Sequence, residues 1–443
     1  MGTAAITPFR LDRDALLARF DRARERSNLL FDLIDPDAYY GRPISLRHPI
    51  VFYEGHFVAF AVNTLLKKAL GRPGVDEQLE QLFARGIDPD DDPSGEGFVW
   101  PAREHVRAYV SAAATRVREA LAAEDLDRPG DPLLDRAAAA FAVVEHEEMH
   151  HETLQYIFHR LPLASKHRPA DYSLRTDVTT QRAARVRIPG GDVTLGAERD
   201  AIPFGWDNEF PSTRQRVAPF EIDAHDVSNG AFLEFVADRG YARESLWGAD
   251  GWAWRSRGAV EHPLFWERHE NRWYWRGMFD LVPLPESWPV YVTLAEADAF
   301  SRWRNGRLPT EAEYHRATFG EDSGRERLMP WGDRPADVSH GNFGCRSWDP
   351  VPVGSYPSGV SAFGVHDLVG NGWEWTSTPF RPFRGFAAMT SYPEYSADFF
   401  DDKHFVLKGA SPATALPLIR RSFRNWFRPT YPYVYATFHC VFD

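Results

Sequence analysis

Apolar residues recur at helical spacing through the first third of the chain. Leu16, Phe20 and Ala23 repeat in residues 12–34. Phe57, Phe60, Ala61, Leu65 and Leu66 repeat in residues 49–70, which stop at Gly71-Arg72-Pro73. Residues 104–123, rich in Ala, Val and Arg, predict a third helix, and residues 131–161, stopped by Pro162, a fourth. Four helices in this order predict an all-α up-and-down bundle over residues 1–165. The long loop between the second and third carries an acidic tract, residues 88–92, expected in solvent.

Residues 166–185 lack a period and read as a linker. From Val186 onward, residues 186–443, short β-like runs at 186–188, 193–195 and 289–292 sit among Gly, Pro, Asn and Trp. Helices are expected at 229–239, at 294–305 with Thr293 as N-cap, and at 311–318 with Thr310 as N-cap. This texture predicts an α+β domain in which loops outweigh regular structure.

Composition sharpens the boundary. Of the 15 tryptophans, only Trp100 precedes residue 186. Two halves so different are not expected to share one core. The net charge of −12 argues against a nucleic-acid surface. No apolar run approaches the roughly 20 residues that span a bilayer, and the N-terminus lacks the pattern of a secretory signal. Two cysteines, Cys345 and Cys440, make no disulfide framework, so a reducing cytoplasm is the expected compartment.

The fourth helix carries Glu145-His146-Glu147-Glu148-Met149-His150-His151-Glu152. His146 and His150, four residues apart, share one helical face, where two imidazoles can hold one metal ion. The plainer alternative is a solvated polar face. His56, in apolar surroundings beside Gly55, is the candidate third ligand; a lone histidine there is otherwise a satisfied core residue. His48, before a proline, ranks behind it, and His151 points about 100° away from His150. Three neutral imidazoles leave open positions on an ion: activated water with Zn²⁺, or a site open to substrate and O₂ with Fe²⁺. Spacing does not choose between them. His225, His366, His404 and His439 show no partner spacing and read as structural or surface residues.

Longer motifs lie beyond the bundle: Ile188-Pro189-Gly190-Gly191, Phe204-Gly205-Trp206-Asp207-Asn208-Glu209, Arg307-Leu308-Pro309-Thr310-Glu311-Ala312-Glu313-Tyr314 and Gly370-Asn371-Gly372-Trp373-Glu374-Trp375-Thr376. Through them residues 186–443 resemble the formylglycine-generating-enzyme domain, a C-type-lectin-like fold, and residues 10–165 resemble a DinB-like four-helix bundle. The pairing is similar to the non-haem iron sulfoxide synthase family, which includes ergothioneine, ovothiol and selenoneine synthases. The resemblance implies Fe(II) held by His56, His146 and His150, O₂ as co-substrate, and a thiol or selenol joined to an imidazole carbon of hercynine (N-alpha-trimethylhistidine). It implies that Arg424-Asn425-Trp426 holds the hercynine, with Asn425 on its carboxylate and Trp426, with Phe427 or Trp375 nearby, facing the trimethylammonium group. It also implies a catalytic tyrosine, for which Tyr392 and Tyr395 are the candidates. Trp373 and Trp375 otherwise read as core.

The chain departs from the ergothioneine branch. Phe427 stands where that branch usually has an acidic residue. In place of an arginine pair that grips the thiol substrate's carboxylate there are only scattered Arg85, Arg103 and Arg107. Residues 48–66 and 83–88 look closer to the ovothiol branch, whose members commonly carry a methyltransferase domain. These departures point to a selenosugar donor, giving selenoneine, with cysteine or γ-glutamylcysteine as the alternative donors. Three other functions compete. A Zn-dependent thiol transferase would form product without O₂. Formylglycine generation needs a copper-binding cysteine pair, for which Cys345 and Cys440 lack the local motif. The non-enzymatic reading is a ligand-binding lectin-like domain on a degenerate bundle.

Overall fold

The structure, a computed structural model, describes residues 9–84, 99–177 and 184–443. The acidic tract at 88–92 and Arg85 lie outside the described residues. The chain divides into two compact units. The first gathers the chain up to Ala170 with Arg199–Phe204 and Met389–Pro393; the second holds Asp171–Glu198, Gly205–Ala388 and Glu394–Asp443.

The first unit is built from α1 (Arg13–Asp32), α2 (Ile50–Ala61), the short α3 (Glu77–Leu82), α4 (Arg103–Ala123) and α5 (Ala138–His159). Asp12 caps α1 by accepting from the Ala15 amide at 2.9 Å. Every α2 residue except Phe60 is buried, because its sequence is apolar on all sides. A π-type turn over Val62–Ala69 continues it. The one carboxylate buried in α2, Glu54, is met by the Tyr39 hydroxyl and by Arg107 Nε at 3.3 Å. The fourth expected helix starts seven residues late, at Ala138. Arg136 and Ala137 have φ of 55° and 56°, left-handed values that no α-helix propagates.

The second unit contains β1 (Arg185–Ile188), β2 (Gly191–Leu195), β3 (Thr213–Val217), β4 (Phe220–Asp223), α6 (Asn229–Ala237), α7 (Ala249–Arg257), β5 (Trp266–His269), β6 (Arg272–Arg276), β7 (Leu281–Pro283), α8 (Leu294–Trp303), α9 (Glu311–Phe319), β8 (Gly372–Pro379), α10 (Glu394–Ala397), β9 (Phe405–Ala410), β10 (Asn425–Phe427), β11 (Ala436–Thr437) and β12 (Val441–Phe442). Among the described residues the strands form four small sheets, ordered β1-β4-β12, β10-β9-β8-β11, β2-β3 and β5-β6-β7.

Both predicted threonine caps form. Thr310 Oγ1 accepts from the Glu313 amide at 3.1 Å while Glu313 Oε2 accepts from the Thr310 amide at 2.8 Å, and Thr293 with Glu296 repeats the box. The run at 289–292 is not a strand. Val290 N–H reaches Val227 and Val292 N–H reaches Ala436, so it bridges two neighbours singly and builds no ladder. In the central sheet Asn425, Trp426 and Phe427 oppose Leu407, Val406 and Phe405. Gly409 of β9 has φ +86°, and a Cβ there would lie 2.6 Å from the Leu368 carbonyl oxygen, so only glycine fits. Among the described residues no helix is long and apolar enough to cross a membrane.

Candidate functional site

In the first unit, α2 and α5 bring His56, His146 and His150 together. Ring centroids lie 5.0 Å apart for His56–His146, 5.2 Å for His56–His150 and 4.3 Å for His146–His150. One ligand nitrogen from each lies within 4.8 Å of the others.

The surroundings decide the tautomers. Nδ1 of His56 is 2.7 Å from the Phe83 carbonyl oxygen, and Nδ1 of His150 is 2.8 Å from that of His146. A carbonyl can only accept, so both Nδ1 atoms carry hydrogen and both Nε2 atoms keep a lone pair. Nδ1 of His146 is buried with no hydrogen-bond partner, and its ring stacks on Phe60 at 3.7 Å and 9°. Burial pushes the His56 imidazole down to about 4 and the His150 imidazole to about 3, and it lowers His146 well below the usual value, with the neighbouring histidines adding to that. Neutral rings with lone pairs held inward are the donor set of a divalent transition metal.

Gly55 makes the His56 anchor possible. A Cβ there would lie 2.3 Å from Cδ2 of Phe83, so only glycine lets Phe83 pack close to α2. The glutamates among the ligands are not a solvated face. Arg19 donates to Glu148 at 2.5 Å and to Glu145 at 3.1 Å. Arg24 and Ser27 donate to Glu147 at 2.7 and 2.5 Å. His151 faces Ser27 Oγ at 2.9 Å and takes no part in the cluster, and His48 stacks on Phe52 instead. Tyr392 belongs to the segment that packs with the bundle; its ring lies 5.4 Å from Phe60 and 6.4 Å from His146. Lys68 ties that segment down by donating to the Thr390 carbonyl at 2.8 Å.

In the second unit β10 presents Asn425, Trp426 and Phe427, all half-buried. Asn425 Oδ1 accepts from the Trp426 amide at 2.9 Å, which leaves the side-chain NH₂ as a donor. Trp426 stacks on Phe380 at 4.2 Å and 7°, with Tyr395 at 5.2 Å and Phe399 at 5.6 Å. Tyr395 in turn stacks on Trp206 at 4.1 Å. Phe427 faces Tyr431 at 5.0 Å.

Arg424 is buried. Its Nε meets Glu311 at 3.1 Å, its Nη1 donates to the Arg381 carbonyl at 3.0 Å, and its guanidinium lies over Phe383 at 4.4 Å. Trp373 and Trp375 are core, and Trp375 Nε1 donates to the Val292 carbonyl at 2.8 Å. Both cysteines are free thiols: Cys345 donates to the Ala413 carbonyl, and Cys440 meets Ser301.

The residues that sequence reasoning missed are Phe60 and Phe83 around the imidazoles and Phe380 and Phe399 around Trp426. Phe60 lies four residues after His56, a spacing that places both on one face of α2; the other three carry no local signal.

Residues 172–443 match the family profile of the sulfatase-modifying factor enzyme 1-like domain, and residues 19–154 match that of the DinB superfamily. A hercynine oxygenase of Mycolicibacterium thermoresistibile is 33% identical over 389 residues, covering 84% of this chain and 82% of that protein. A hercynine oxygenase of Mycobacterium tuberculosis is 32% identical over 391 residues, covering 83% and 89%. Ergothioneine biosynthesis protein 1 of Neurospora crassa is 27% identical over 486 residues, covering 91% of this chain and 54% of that protein. Bundle, lectin-like unit and relatives agree: the chain belongs to the non-haem iron sulfoxide synthase family, that of the hercynine oxygenases, and is an oxidoreductase of that family.

Proposed function

We propose that this enzyme joins a selenol or thiol to an imidazole carbon of hercynine in an O₂-dependent reaction at Fe(II). The observation that carries the reading is the convergence of three neutral imidazoles, two of them locked by backbone carbonyls with Nε2 free. Fe(II) held by these residues would supply O₂ activation.

The protein's own groups then bind and orient. His56, His146 and His150 donate lone pairs to the iron, and Phe60 holds the plane of His146. The Trp426 face, with Phe380, Tyr395 and Phe399 around it, receives the trimethylammonium group, a contact worth up to about 2 kcal/mol when desolvated. The Asn425 NH₂ donates to the hercynine carboxylate. Arg424, engaged with Glu311, acts by holding Asn425 and Trp426 in place. Tyr392, packed with Phe60 and His146, is the proton donor. Tyr395, stacked on Trp206 and edge-on to Trp426, serves the substrate side.

The donor we propose is a selenosugar, whose selenium becomes bonded to the imidazole carbon; cleavage of the selenium–sugar bond then leads to selenoneine. Two observations support it. Arg103 donates to the Phe31 carbonyl at 2.6 Å, and Arg107 is paired with Asp32 and Glu54, so both guanidinium groups already have partners within the bundle. Phe427, stacked on Tyr431, offers no charge to an amine. The name of the Neurospora crassa relative, ergothioneine biosynthesis protein 1, favours the second reading, an ergothioneine-type reaction, for which the donors to test are cysteine and γ-glutamylcysteine. Aerobic incubation of the iron-loaded protein with hercynine and equal amounts of a selenosugar, the matching thiosugar, cysteine and γ-glutamylcysteine separates the two. A selenium-containing product mass is expected. Exclusive use of cysteine or γ-glutamylcysteine would overturn the donor assignment, and product formed without O₂ would overturn the oxygenase reading.

A further inference from the structure

The second unit buries a cluster that the proposed reaction does not use. Asp226 lies just past β4, Glu374 sits within β8, and His439 lies between β11 and β12. Nδ1 of His439 is 3.1 Å from Glu374 Oε2 and 3.2 Å from Asp226 Oδ1, and all three side chains are fully buried. One ligand atom from each lies within 4.8 Å of the others.

The cluster is not satisfied by its neighbours. Beyond His439 and the neighbouring Glu374, the carboxylate oxygens of Asp226 have no hydrogen-bond partner among the described residues, and Glu374 Oε1 has none. Thr437, which the β11–β8 register sets opposite Glu374, also leaves its buried hydroxyl oxygen unpartnered. Arg304 reaches Asp223 at 3.4 Å and is spent there. Even as an imidazolium, His439 would answer only one of two carboxylates. Buried charges are paired or they coordinate a metal.

We propose that Asp226, Glu374 and His439 hold a structural divalent cation, zinc by the chemistry of the set. One imidazole nitrogen and two carboxylates suit zinc, whereas calcium takes six to eight oxygens that the cluster does not supply. Zinc bonds of about 2.1 Å at tetrahedral angles separate ligand atoms by about 3.4 Å. The observed 3.1 and 3.2 Å lie within a few tenths of that. The cation ties the segment after β4 to β8 and to the last turn of chain before β12, so it joins two of the four sheets.

The inference is independent of the iron centre and is tested with that centre removed. The full chain carrying His56→Ala, His146→Ala and His150→Ala is loaded with zinc chloride, freed of excess by gel filtration, and its zinc counted by mass spectrometry. The expected result is about one zinc per chain, and a thermal midpoint that rises with zinc and falls with a chelator. Adding Glu374→Gln, or His439→Gln if that variant misfolds, lowers the retained zinc about tenfold or more. If the triple variant does not fold, the same count on wild type decides: about two metals, falling to about one with Glu374→Gln. Less than about a tenth of an equivalent in the triple variant, with a midpoint indifferent to zinc, overturns the proposal, since protons alone then neutralise the cluster. Zinc retained in full by a folded Glu374→Gln or His439→Gln variant overturns it too.

Discussion

The two units each bury histidine among groups able to hold a metal, and they do it in opposite ways. In the bundle three imidazoles face one another with no carboxylate between them, and burial lowers all three toward neutrality. In the second unit His439 is as deeply buried, yet Glu374, Asp223 and Asp367 raise its imidazole against that burial. Burial alone makes a neutral ligand set; nearby carboxylates pull the same residue type back toward its charged form. The bundle also fixes two of its three rings by backbone carbonyls, whereas the second cluster leaves carboxylate oxygens without such anchors.

The comparison breaks most sharply at the bundle ligands. His146→Ala is expected to lower iron retention and turnover by more than about a hundredfold while the chain stays folded. Iron content per chain and circular dichroism measure both, and full iron in that variant would remove His146 from the ligand set. Gly55→Ala tests the carbonyl anchor without touching a ligand. Its methyl displaces Phe83, costing about 1–3 kcal/mol in stability and roughly 10–100-fold in iron affinity. Denaturant unfolding and iron titration should move together; an unchanged affinity would mean that the Phe83 carbonyl does not hold His56.

Trp426→Ala is expected to raise the KM for hercynine by roughly thirtyfold with iron content unchanged, the loss of about 2 kcal/mol of cation–π contact. Trp426→Phe should recover most of it. A KM that stays flat would leave Trp426 as packing for Phe380.

The pH response separates the clusters by sign in metal-free protein. His56 and His150 have folded values of about 4 and about 3, below the roughly 6.5 of an unfolded imidazole. The unfolded chain therefore binds the extra protons, so their contribution is complete above about pH 6.5 and is lost as pH falls from there toward about 3. His439 is raised, so its contribution is complete below about pH 6.5 and is lost as pH rises through its folded value. Unfolding midpoints of wild type, His150→Gln and His439→Gln across this range should show the acid-side loss shrink in the first variant and the alkaline-side loss shrink in the second. The smallest effect serves as the reference: Arg118→Ala breaks an exposed pair with Asp21 and should leave the unfolding midpoint unchanged.

Much of the local structure was legible. His146 and His150 share a face because they are four residues apart, and the Thr293 and Thr310 caps form because each threonine meets a glutamate three positions on. The start of α5 was misplaced because left-handed Arg136 and Ala137 lack any glycine or proline to announce them. The run at 289–292 looked like a strand because apolar periodicity reports burial, not whether a partner runs alongside. His439 looked bland because its partners, Asp226 and Glu374, are distant in sequence.

What the sequence by itself determined is the set of local interactions: helical faces, caps, the contrast in tryptophan between the two halves, and the motifs that mark the family. These depend on residues within one or two turns, where backbone geometry is nearly invariant. What only the tertiary structure decided is which distant groups meet. It brought His56 against α5, chose its tautomer with the Phe83 carbonyl, packed Tyr392 beside Phe60, surrounded Trp426 with Phe380 and Phe399, and closed Asp226, Glu374 and His439 into one cluster. Such meetings follow from how whole elements pack, and spacing along the chain carries no record of them.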